Sequence, residues 1–425
     1  MIKVCDSMMG SGKSSAAINH MNDHPDQRFI YITPYIEETQ RIAAACPALN
    51  FVEPSNTSPR FKFSKLVHTA QLLADGRNIT TTHAAFQLYT DEMLESIRAG
   101  GYTLICDEAV DVMTEVRYNT ADIEVLVNGG YLKKLDDGTY EVGEREYGDG
   151  DAFADFFAML KHRDVVALQD KKPGRISKFF YWLMPARTLA AFKDVYILTY
   201  LFDGQELKYY LALSGLGWEN IGVQIIDGKH QFVDGESLLP AYAGNLRELI
   251  HVCDKERMNK IGYDKFALSR NWFNTAEEWQ TTMLKNHLYN YFHNMMKAKS
   301  DDILWTTLDS ARTKVRGLGY SNGYISYVQR ATNKYKDRTV LAYCINVFGS
   351  PVKARYFNQS GLEFDDDKFA LSVLIQWIWR SAIRDGKEIW LYLPSRRMRQ
   401  ILFNWIDDVE AAYRRQVGAA PIIAA

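Results

Sequence analysis

Paired cysteines and long apolar runs are both missing from this sequence of 425 residues. Its five cysteines are scattered without a Cys-x-x-Cys pair, which argues against a zinc site or a disulfide framework and indicates reduced thiols. The most apolar stretch, LSVLIQWIWRSAI, is interrupted by Gln376 and Arg380, so we expect no membrane span and no membrane partner. Because no basic segment followed by an apolar one opens the sequence, we predict no signal peptide and a cytoplasmic location.

A strong net charge is missing as well, since the formal net charge is −2. Such a balanced chain does not indicate a polyanionic partner by composition, so any nucleic-acid surface must be a local basic stripe. The sequence does have length. At 425 residues it is too long for one ordinary hydrophobic core, which predicts two or three domains.

The first fifteen residues, MIKVCDSMMGSGKSS, contain the most informative motif. An apolar, β-prone start breaks at a glycine-containing turn that leads directly into a helix-competent stretch. This arrangement places backbone N–H groups and the positive end of a helix dipole around one anion. The residues predicted to bind the nucleotide are Gly10, Ser11, Gly12, Lys13, Ser14 and Ser15. We expect Lys13 to reach the β and γ phosphates and Ser14 to bind Mg²⁺, although Ser7 stands where the usual P-loop pattern has Gly or Ala.

Strands and helices alternate from the first residue, which predicts a parallel sheet with helical crossovers. The alternation breaks where YLKKLDDGTYEV carries a hairpin signal at Asp137-Gly138. Because long loops are uncommon within a compact sheet, we interpret residues 115–178 as an insertion. A second strand–helix series occupies the C-terminal half and includes DILWTTL, RTVLAYCINVF and EIWLYLPS.

Two carboxylates, Asp107 and Glu108, follow the apolar strand of GYTLICDEAVDV. A carboxylate at the carboxyl end of a strand can hold Mg²⁺, and its neighbour can orient and deprotonate the attacking water. Solvated carboxylates at strand ends are also common. The upstream phosphate-binding turn favours the catalytic interpretation, with Asp107 as a metal ligand and Glu108 as the base.

A helix predicted from about Asp367 to Arg384 supplies a further candidate set. With Gln376 at zero on a helical wheel of about 100° per residue, Arg380 and Arg384 fall near 40° and 80°, opposite the apolar side chains. A solvated charged face is the simpler interpretation. A P-loop ATPase also needs an arginine that stabilises charge on the γ phosphate, and this face could provide it, so we assign a catalytic role to all three residues.

Taken in order, these motifs resemble those of superfamily 2 (DExH/DEAD-type) helicases and translocases, and most closely the small helicase-like ATPases of phages and prophages. The similar segments are SMMGSGKS (motif I), ITPYIEETQ (Ia), TTTHAAF (Ib), DEAV (II), ILTY (III), RATNKYKDRT (V) and QWIWRSAIR (VI). The resemblance implies ATP and Mg²⁺ as cofactors and a nucleic-acid partner. The residues it assigns to nucleic-acid binding are Thr33, Pro34, Thr81, Thr82, His83 and Thr332.

Three departures from the family pattern accompany the resemblance. Motif II ends in Ala109-Val110 instead of a fourth-position His or Asp, and Arg384 lies one residue beyond the usual second arginine of motif VI. Too few residues precede the phosphate-binding turn to hold an upstream adenine-reading glutamine motif. The selectivity for the nucleotide base is therefore left open.

These observations predict an α/β protein of two tandem RecA-like P-loop domains, over residues 1–205 and 220–416, with the insertion in the first and a flexible tail at 417–425. ATP hydrolysis between the domains would drive movement along nucleic acid, with DNA favoured over RNA and phage or host replication and recombination proteins as possible partners. The alternative functions are a packaging or protein-remodelling P-loop ATPase and, less favoured, a small-molecule nucleotide kinase.

Overall fold

The computed structural model describes residues 1–57, 64–116, 118–136, 139–148, 152–167, 180–329 and 334–419. The strands, numbered in chain order, are β1 Ile2–Asp6, β2 Phe29–Thr33, β3 Ile79–Thr82, β4 Thr103–Asp107, β5 Met113–Glu115, β6 Leu132–Lys134, β7 Thr139–Val142, β8 Asp164–Ala167, β9 Phe180–Leu183, β10 Asp194–Thr199, β11 Trp218–Ile226, β12 Lys229–Asp234, β13 Ile250–Val252, β14 Ile303–Thr306, β15 Val340–Tyr343 and β16 Ile389–Tyr392.

The helices, numbered in the same way, are α1 Lys13–Asp23, α2 Ile36–Ala45, α3 Lys65–Ala74, α4 His83–Phe86, α5 Asp91–Gly100, α6 Thr120–Asn128, α7 Ala154–Leu160, α8 Ala186–Ala190, α9 Glu206–Leu213, α10 Leu246–Leu249, α11 Glu256–Asn259, α12 Arg270–Thr275, α13 Glu278–Tyr289, α14 Arg312–Val315, α15 Pro351–Gln359, α16 Asp366–Ile378 and α17 Arg396–Ala419. None of these helices combines the length and the apolar character needed to cross a bilayer.

The chain divides into two compact units. The first comprises Met1–Ser7, Gly12–Ser237 and Ser350–Phe364, and the second comprises Met8–Ser11, Leu238–Gly349 and Asp365–Ala425. The first unit extends beyond the predicted end at residue 205 because β11 and β12 join its sheet. At the other end of the chain, α17 continues to Ala419, and residues 420–425 of the predicted tail lie outside the described residues.

A seven-stranded sheet forms the centre of the first unit, in the order β12-β11-β1-β10-β4-β2-β3. All neighbouring strands run parallel except β12, which is antiparallel to β11. The central strands are apolar along nearly their whole length because helices cover both faces of the sheet. As a result, the loops after β1, β2, β3 and β4 all emerge at one edge, where ligands bind in open α/β sheets.

The predicted insertion is a separate antiparallel sheet between β4 and β10, in the order β5-β9-β8-β7-β6. It contains the predicted hairpin, in which Leu132 pairs with Val142, while the turn residues Asp137 and Gly138 lie outside the described residues. Aromatic side chains form much of its own core, with the Phe156 ring 4.9 Å from that of Trp182. The insertion is therefore a structured subdomain with its own hydrophobic cluster.

The second unit contains a four-stranded parallel sheet in the order β13-β16-β15-β14. The predicted strands EIWLYLPS, DILWTTL and RTVLAYCINVF correspond to β16, β14 and β15. The last of these is shorter than its apolar run, because β15 ends at Tyr343 and the following buried residues leave the sheet.

Helix α15 belongs to the first unit although its sequence lies far from the rest of that unit. Lys353 Nζ donates to both carboxylate oxygens of Glu206 on α9, at 2.9 and 2.7 Å. The rings of Phe357 and Phe364 pack on Tyr209, with centroids 5.3 and 4.9 Å away. A late segment of the chain thus completes the packing around α9.

Candidate nucleotide-binding site

The turn between β1 and α1 has the backbone geometry that the motif predicts. Gly10 and Gly12 adopt φ angles of 86° and 87°, a left-handed region that costs glycine little and other residues much more. The N–H of Ser11 donates to the Met8 carbonyl oxygen at 3.2 Å, and the N–H of Ala16 donates to that of Gly12 at 2.8 Å. Both glycines are therefore required by the conformation of the turn.

Helix α1 begins at Lys13 directly after this turn. Its N-cap is Gly12, which has no side chain to accept from the first N–H groups, and its first turn carries no acidic residue. The Ser11 hydroxyl is buried and has no hydrogen-bond partner within the described part of the chain. The first turn is thus suited to an anion that would accept from these groups.

Lys13 is positioned between the turn and the carboxylates at the edge of the sheet. Its ammonium group donates to the carbonyl oxygen of Ser7. Burial lowers the pKa of Lys13, while the charges of Asp107 and Glu108 act in the opposite direction. The predicted phosphate-binding lysine and the predicted carboxylates therefore lie close enough to interact electrostatically.

Asp107 ends β4, and its carboxylate is held by Tyr31 from the neighbouring strand β2. The Tyr31 hydroxyl donates to Asp107 Oδ2 at 2.9 Å. Burial raises the pKa of Asp107, whereas the Tyr31 hydrogen bond opposes that rise by stabilising the ionised form. Tyr31 was not among the predicted site residues. Tyr31 lies directly before motif Ia in the sequence, and the pairing of β2 with β4 brings it to Asp107.

Glu108 has a left-handed backbone, with φ 65°, although it is not glycine. Its N–H donates to the Leu198 carbonyl oxygen on β10 at 3.0 Å, which fixes this conformation. Non-glycine residues in this region store backbone strain and are concentrated at functional sites. Glu108 is one of six non-glycine residues with a positive φ in the described part of the chain, and its role as the base stays a prediction.

Metal ligands around these carboxylates are few. Within the described ranges, no group of three or more His, Cys, Asp or Glu side chains is arranged to hold a metal ion. Asp107 and the half-buried Ser14 offer a single carboxylate and a single hydroxyl. That donor set suits Mg²⁺, which keeps several waters and takes its other ligands from a phosphate chain.

Ser7, the departure from the usual P-loop pattern, has specific partners in the first unit. Its N–H donates to the Thr199 carbonyl oxygen at 3.0 Å, and its hydroxyl hydrogen-bonds to that of Ser237. Its hydroxyl also lies 3.3 Å from Cys5 Sγ. Sequence reasoning missed Ser237 because no motif links it to the turn 230 residues earlier.

The residues predicted to contact nucleic acid lie at the ends of β2 and β3. Thr33 is opposite Thr82 in the register of these parallel strands, so motifs Ia and Ib are side by side. Thr33, Thr81 and His83 are buried, and the Thr82 hydroxyl accepts from the Ala85 N–H at 3.3 Å to cap α4. Pro34 is half-buried, and Thr332 lies outside the described residues. Their contact with nucleic acid stays a prediction.

The helix predicted to carry Gln376, Arg380 and Arg384 on one face ends earlier than expected, and that prediction is wrong. Helix α16 stops at Ile378, because the Ser381 hydroxyl donates a hydrogen bond to the Ile378 carbonyl oxygen at 2.6 Å. The Ala382 N–H is diverted to the Arg338 carbonyl oxygen at 2.9 Å.

The three side chains consequently have different environments in the second unit. Gln376 is half-buried on the helix, and Arg380 is only 7% exposed just beyond its end. Arg384 is exposed on a short 3₁₀ segment, Ala382–Asp385. Gln376, Arg380 and Arg384, the residues matched to motif VI, therefore do not share one face of a helix.

The basic run at the start of α17 makes mostly internal contacts within the second unit. Arg397 donates to the Asp367 carboxylate at 2.8 Å and to the Val347 carbonyl oxygen at 2.6 Å. Arg399 donates to the carbonyl oxygens of Leu393 and Pro394. These two arginines stabilise the second unit, whereas Arg396 is exposed.

Comparison with solved structures places this architecture among helicase-like folds. A structure of apo XPD is similar over 95% of this chain and 95% of its own, with a TM-score of 0.51 and 10% identity. A second, named XPD helicase, covers the same shares at 10% identity with a TM-score of 0.44. The fold defines an α/β protein of two RecA-like domains with an insertion in the first.

Sequence comparison gives the family. The chain is 37% identical over 410 residues to the SPbeta prophage-derived uncharacterized protein YonV of Bacillus subtilis strain 168, covering 96% of this chain and 99% of that protein. Residues 244–406 match the family model described as the YonV C-terminal Rossmann-like domain. The chain therefore belongs to the YonV family, and its relative has the prophage origin that the sequence resemblance implied.

Proposed function

We propose that this protein is an ATP-dependent nucleic-acid helicase or translocase. The observation that carries the proposal is the arrangement of Lys13 and Asp107 at one edge of the first sheet. Asp6 at the end of β1 is aligned with Thr199, and Asp107 is aligned with Leu198 on the strand between them. The strand end that leads to Lys13 and the strand end that carries Asp107 therefore lie at the same edge of the sheet, which supports a shared ligand site.

The residues present fit a nucleoside triphosphate with Mg²⁺. The uncapped first turn of α1 and the partnerless Ser11 hydroxyl suit phosphate oxygens. Ser14 and Asp107 would hold Mg²⁺, which would supply charge neutralisation at the phosphates when bound. Lys13 would bind the β and γ phosphates, and Glu108 would accept the proton of the attacking water.

The helicase-like fold favours a polymer-driven ATPase over an ATPase that acts on a protein. In the proposed cycle the nucleic-acid contacts come from the first unit at Thr33, Pro34 and Thr81 to His83, and from Thr332 in the second half. Arg380 would stabilise charge on the γ phosphate during hydrolysis. We propose DNA in preference to RNA as the nucleic-acid partner, and replication or recombination proteins as further partners.

An ATPase assay with single-stranded DNA, single-stranded RNA, duplex DNA or no polymer tests the proposal. We expect a low basal rate that single-stranded DNA stimulates most, and a loss of the signal in Lys13→Ala because the cation at the β and γ phosphates is gone. Binding should weaken steeply with salt, since contacts to phosphate release counterions. A basal rate that no polymer changes would favour the packaging or protein-remodelling alternative instead.

A further inference from the structure

The hairpin formed by β11 and β12 touches the phosphate-binding turn at both of its ends. At the start of the turn, the Ser237 hydroxyl hydrogen-bonds to that of Ser7 and accepts from the Val223 N–H at 2.7 Å. At its end, the imidazole ring of His230 lies against Gly12. No sequence motif indicated this hairpin, and none of its residues has a role in the proposed function.

The backbone at His230 is held against α1 within the first unit. Strand β12 packs on α1, and Asn19 Nδ2 on that helix donates to the His230 carbonyl oxygen at 2.9 Å. A Cβ built on Gly12 would lie 2.0 Å from Cδ2 of His230. The ring therefore occupies the space that a side chain at position 12 would fill, directly before Lys13.

The nitrogens of this ring are available to a ligand. Within the described ranges, neither ring nitrogen of His230 has a hydrogen-bond partner, and the ring is only half-buried. An imidazole presents at least one N–H donor in every protonation state, so it can donate to a phosphate oxygen at pH 7.

We propose that His230 is a nucleotide-binding residue whose imidazole donates a hydrogen bond to the phosphate chain of a nucleoside triphosphate held in the turn. The inference rests on the proposed ATP site and deepens it. The alternation of side chains along β12 directs His230 and Phe232 toward α1, where Phe232 packs near His20 with ring centroids 5.9 Å apart. Lys229 and Gln231 belong to the opposite face.

Calorimetric titration with a non-hydrolysable ATP analogue and Mg²⁺ tests this role in the full-length protein. His230→Phe keeps a ring of similar shape without an N–H, and His230→Gln keeps an N–H donor without the ring. We expect His230→Phe to weaken binding about tenfold, the usual effect of losing one hydrogen bond to a charged group, and His230→Gln to stay within about twofold of wild type. Lys229→Gln is the matched control for a lost charge on the same strand.

Other results of the titration would contradict the proposed role of His230 or the proposed ATP site. Unchanged affinity in His230→Phe, with wild-type binding intact, means that the ring only packs on Gly12. Affinity kept in His230→Phe but lost in His230→Gln assigns the ring to the base or sugar instead. Equal losses in both variants, or a loss in Lys229→Gln, exclude a specific phosphate contact. If the wild-type protein does not bind the analogue, the proposed ATP site itself fails.

Discussion

At the scale of single residues, Glu108 combines an unfavourable backbone conformation with a position next to Asp107. The hydrogen bond from its N–H to Leu198 on β10 maintains that conformation. Backbone strain of this kind clusters at active sites, so we expect Glu108 to be the residue that activates the attacking water.

We expect Glu108→Gln to bind ATP normally and to hydrolyse it at least about a hundredfold more slowly, because an amide cannot accept the proton of the attacking water. Nucleotide binding by fluorescence and single-turnover hydrolysis measure the two effects separately. Glu115→Gln, which removes an exposed carboxylate from β5, should leave both unchanged. Hydrolysis by Glu108→Gln near the wild-type rate would remove Glu108 as the base.

The substitution Tyr31→Phe tests whether the Tyr31 hydroxyl stabilises the ionised form of Asp107. Because the Tyr31 hydroxyl lowers the pKa of Asp107, its loss should raise that pKa, so the carboxylate stays protonated to a higher pH. The acid limb of Mg²⁺-dependent ATP hydrolysis should therefore move to higher pH, and folding stability should fall by about 1 kcal/mol.

The control for this change is Tyr102→Phe, which removes an equally internal hydroxyl that donates to the Arg77 carbonyl oxygen at 3.0 Å. It should show the loss of stability without the displaced pH profile. An unchanged profile in Tyr31→Phe would mean that Asp107 does not need to ionise for metal binding.

The chemical identity of the site residues could be predicted from sequence, whereas their partners could not. Lys13, Asp107 and Glu108 stand in motifs whose chemistry depends on residues one to six positions apart. Ser237 and His230 reach the same turn only through the pairing of β11 with β1. Such long-range pairings leave no local pattern in a single sequence.

At the scale of elements, the buried strands and the insertion could be predicted because their patterns are local and strong. The end of α16 could not be predicted. The Ser381 hydroxyl donates to the Ile378 carbonyl oxygen, and the distant Arg338 carbonyl oxygen accepts from the Ala382 N–H. Strands β11 and β12 were missed because polar and charged side chains interrupt both of them, so neither has a continuous apolar run.

Arg163 connects the insertion to the segments beside the candidate site. It is 3% exposed, and its guanidinium donates to Thr114 Oγ1 at 2.9 Å and to the carbonyl oxygens of Asp111 and Val112. It also donates to Gln87 Oε1, just after α4, at 3.3 Å. One side chain thus joins the insertion, the chain after motif II and the chain after motif Ib.

Arg163→Ala should lower the free energy of unfolding by about 2–3 kcal/mol, because several internal acceptors lose their donor together. Thermal and urea denaturation measure this change. The matched control is Arg187→Ala, which breaks a half-exposed ion pair with Asp91 and should cost less than about 1 kcal/mol. Equal effects of the two substitutions would show that Arg163 is not a structural connection.

At the scale of the whole molecule, the proposed mechanism needs Arg380 of the second unit for hydrolysis in the first. We expect Arg380→Ala to lower ATP turnover about a thousandfold with nucleotide binding retained, the effect of removing a catalytic arginine. Arg384→Ala, which removes an exposed side chain, should have a much smaller effect.

Because Arg380 is buried, its variant needs a check on folding. Arg380→Lys keeps the charge but not the planar fork, so it should fold and remain impaired in turnover. Melting temperatures of all three variants accompany the rates. Normal, polymer-stimulated turnover in a folded Arg380 variant would contradict the two-domain mechanism and leave a P-loop protein of another kind.

The return of α15 to the first unit has a consequence for protein synthesis. Until Phe364 has left the ribosome, Glu206 lacks Lys353 and the Tyr209 ring lacks Phe357 and Phe364. At roughly 5–20 residues per second, the interval between the emergence of Ser237 and of Phe364 lasts on the order of ten seconds. During that interval the nascent chain exposes an aromatic surface on α9, so this stage is when chaperone protection matters most for the first unit.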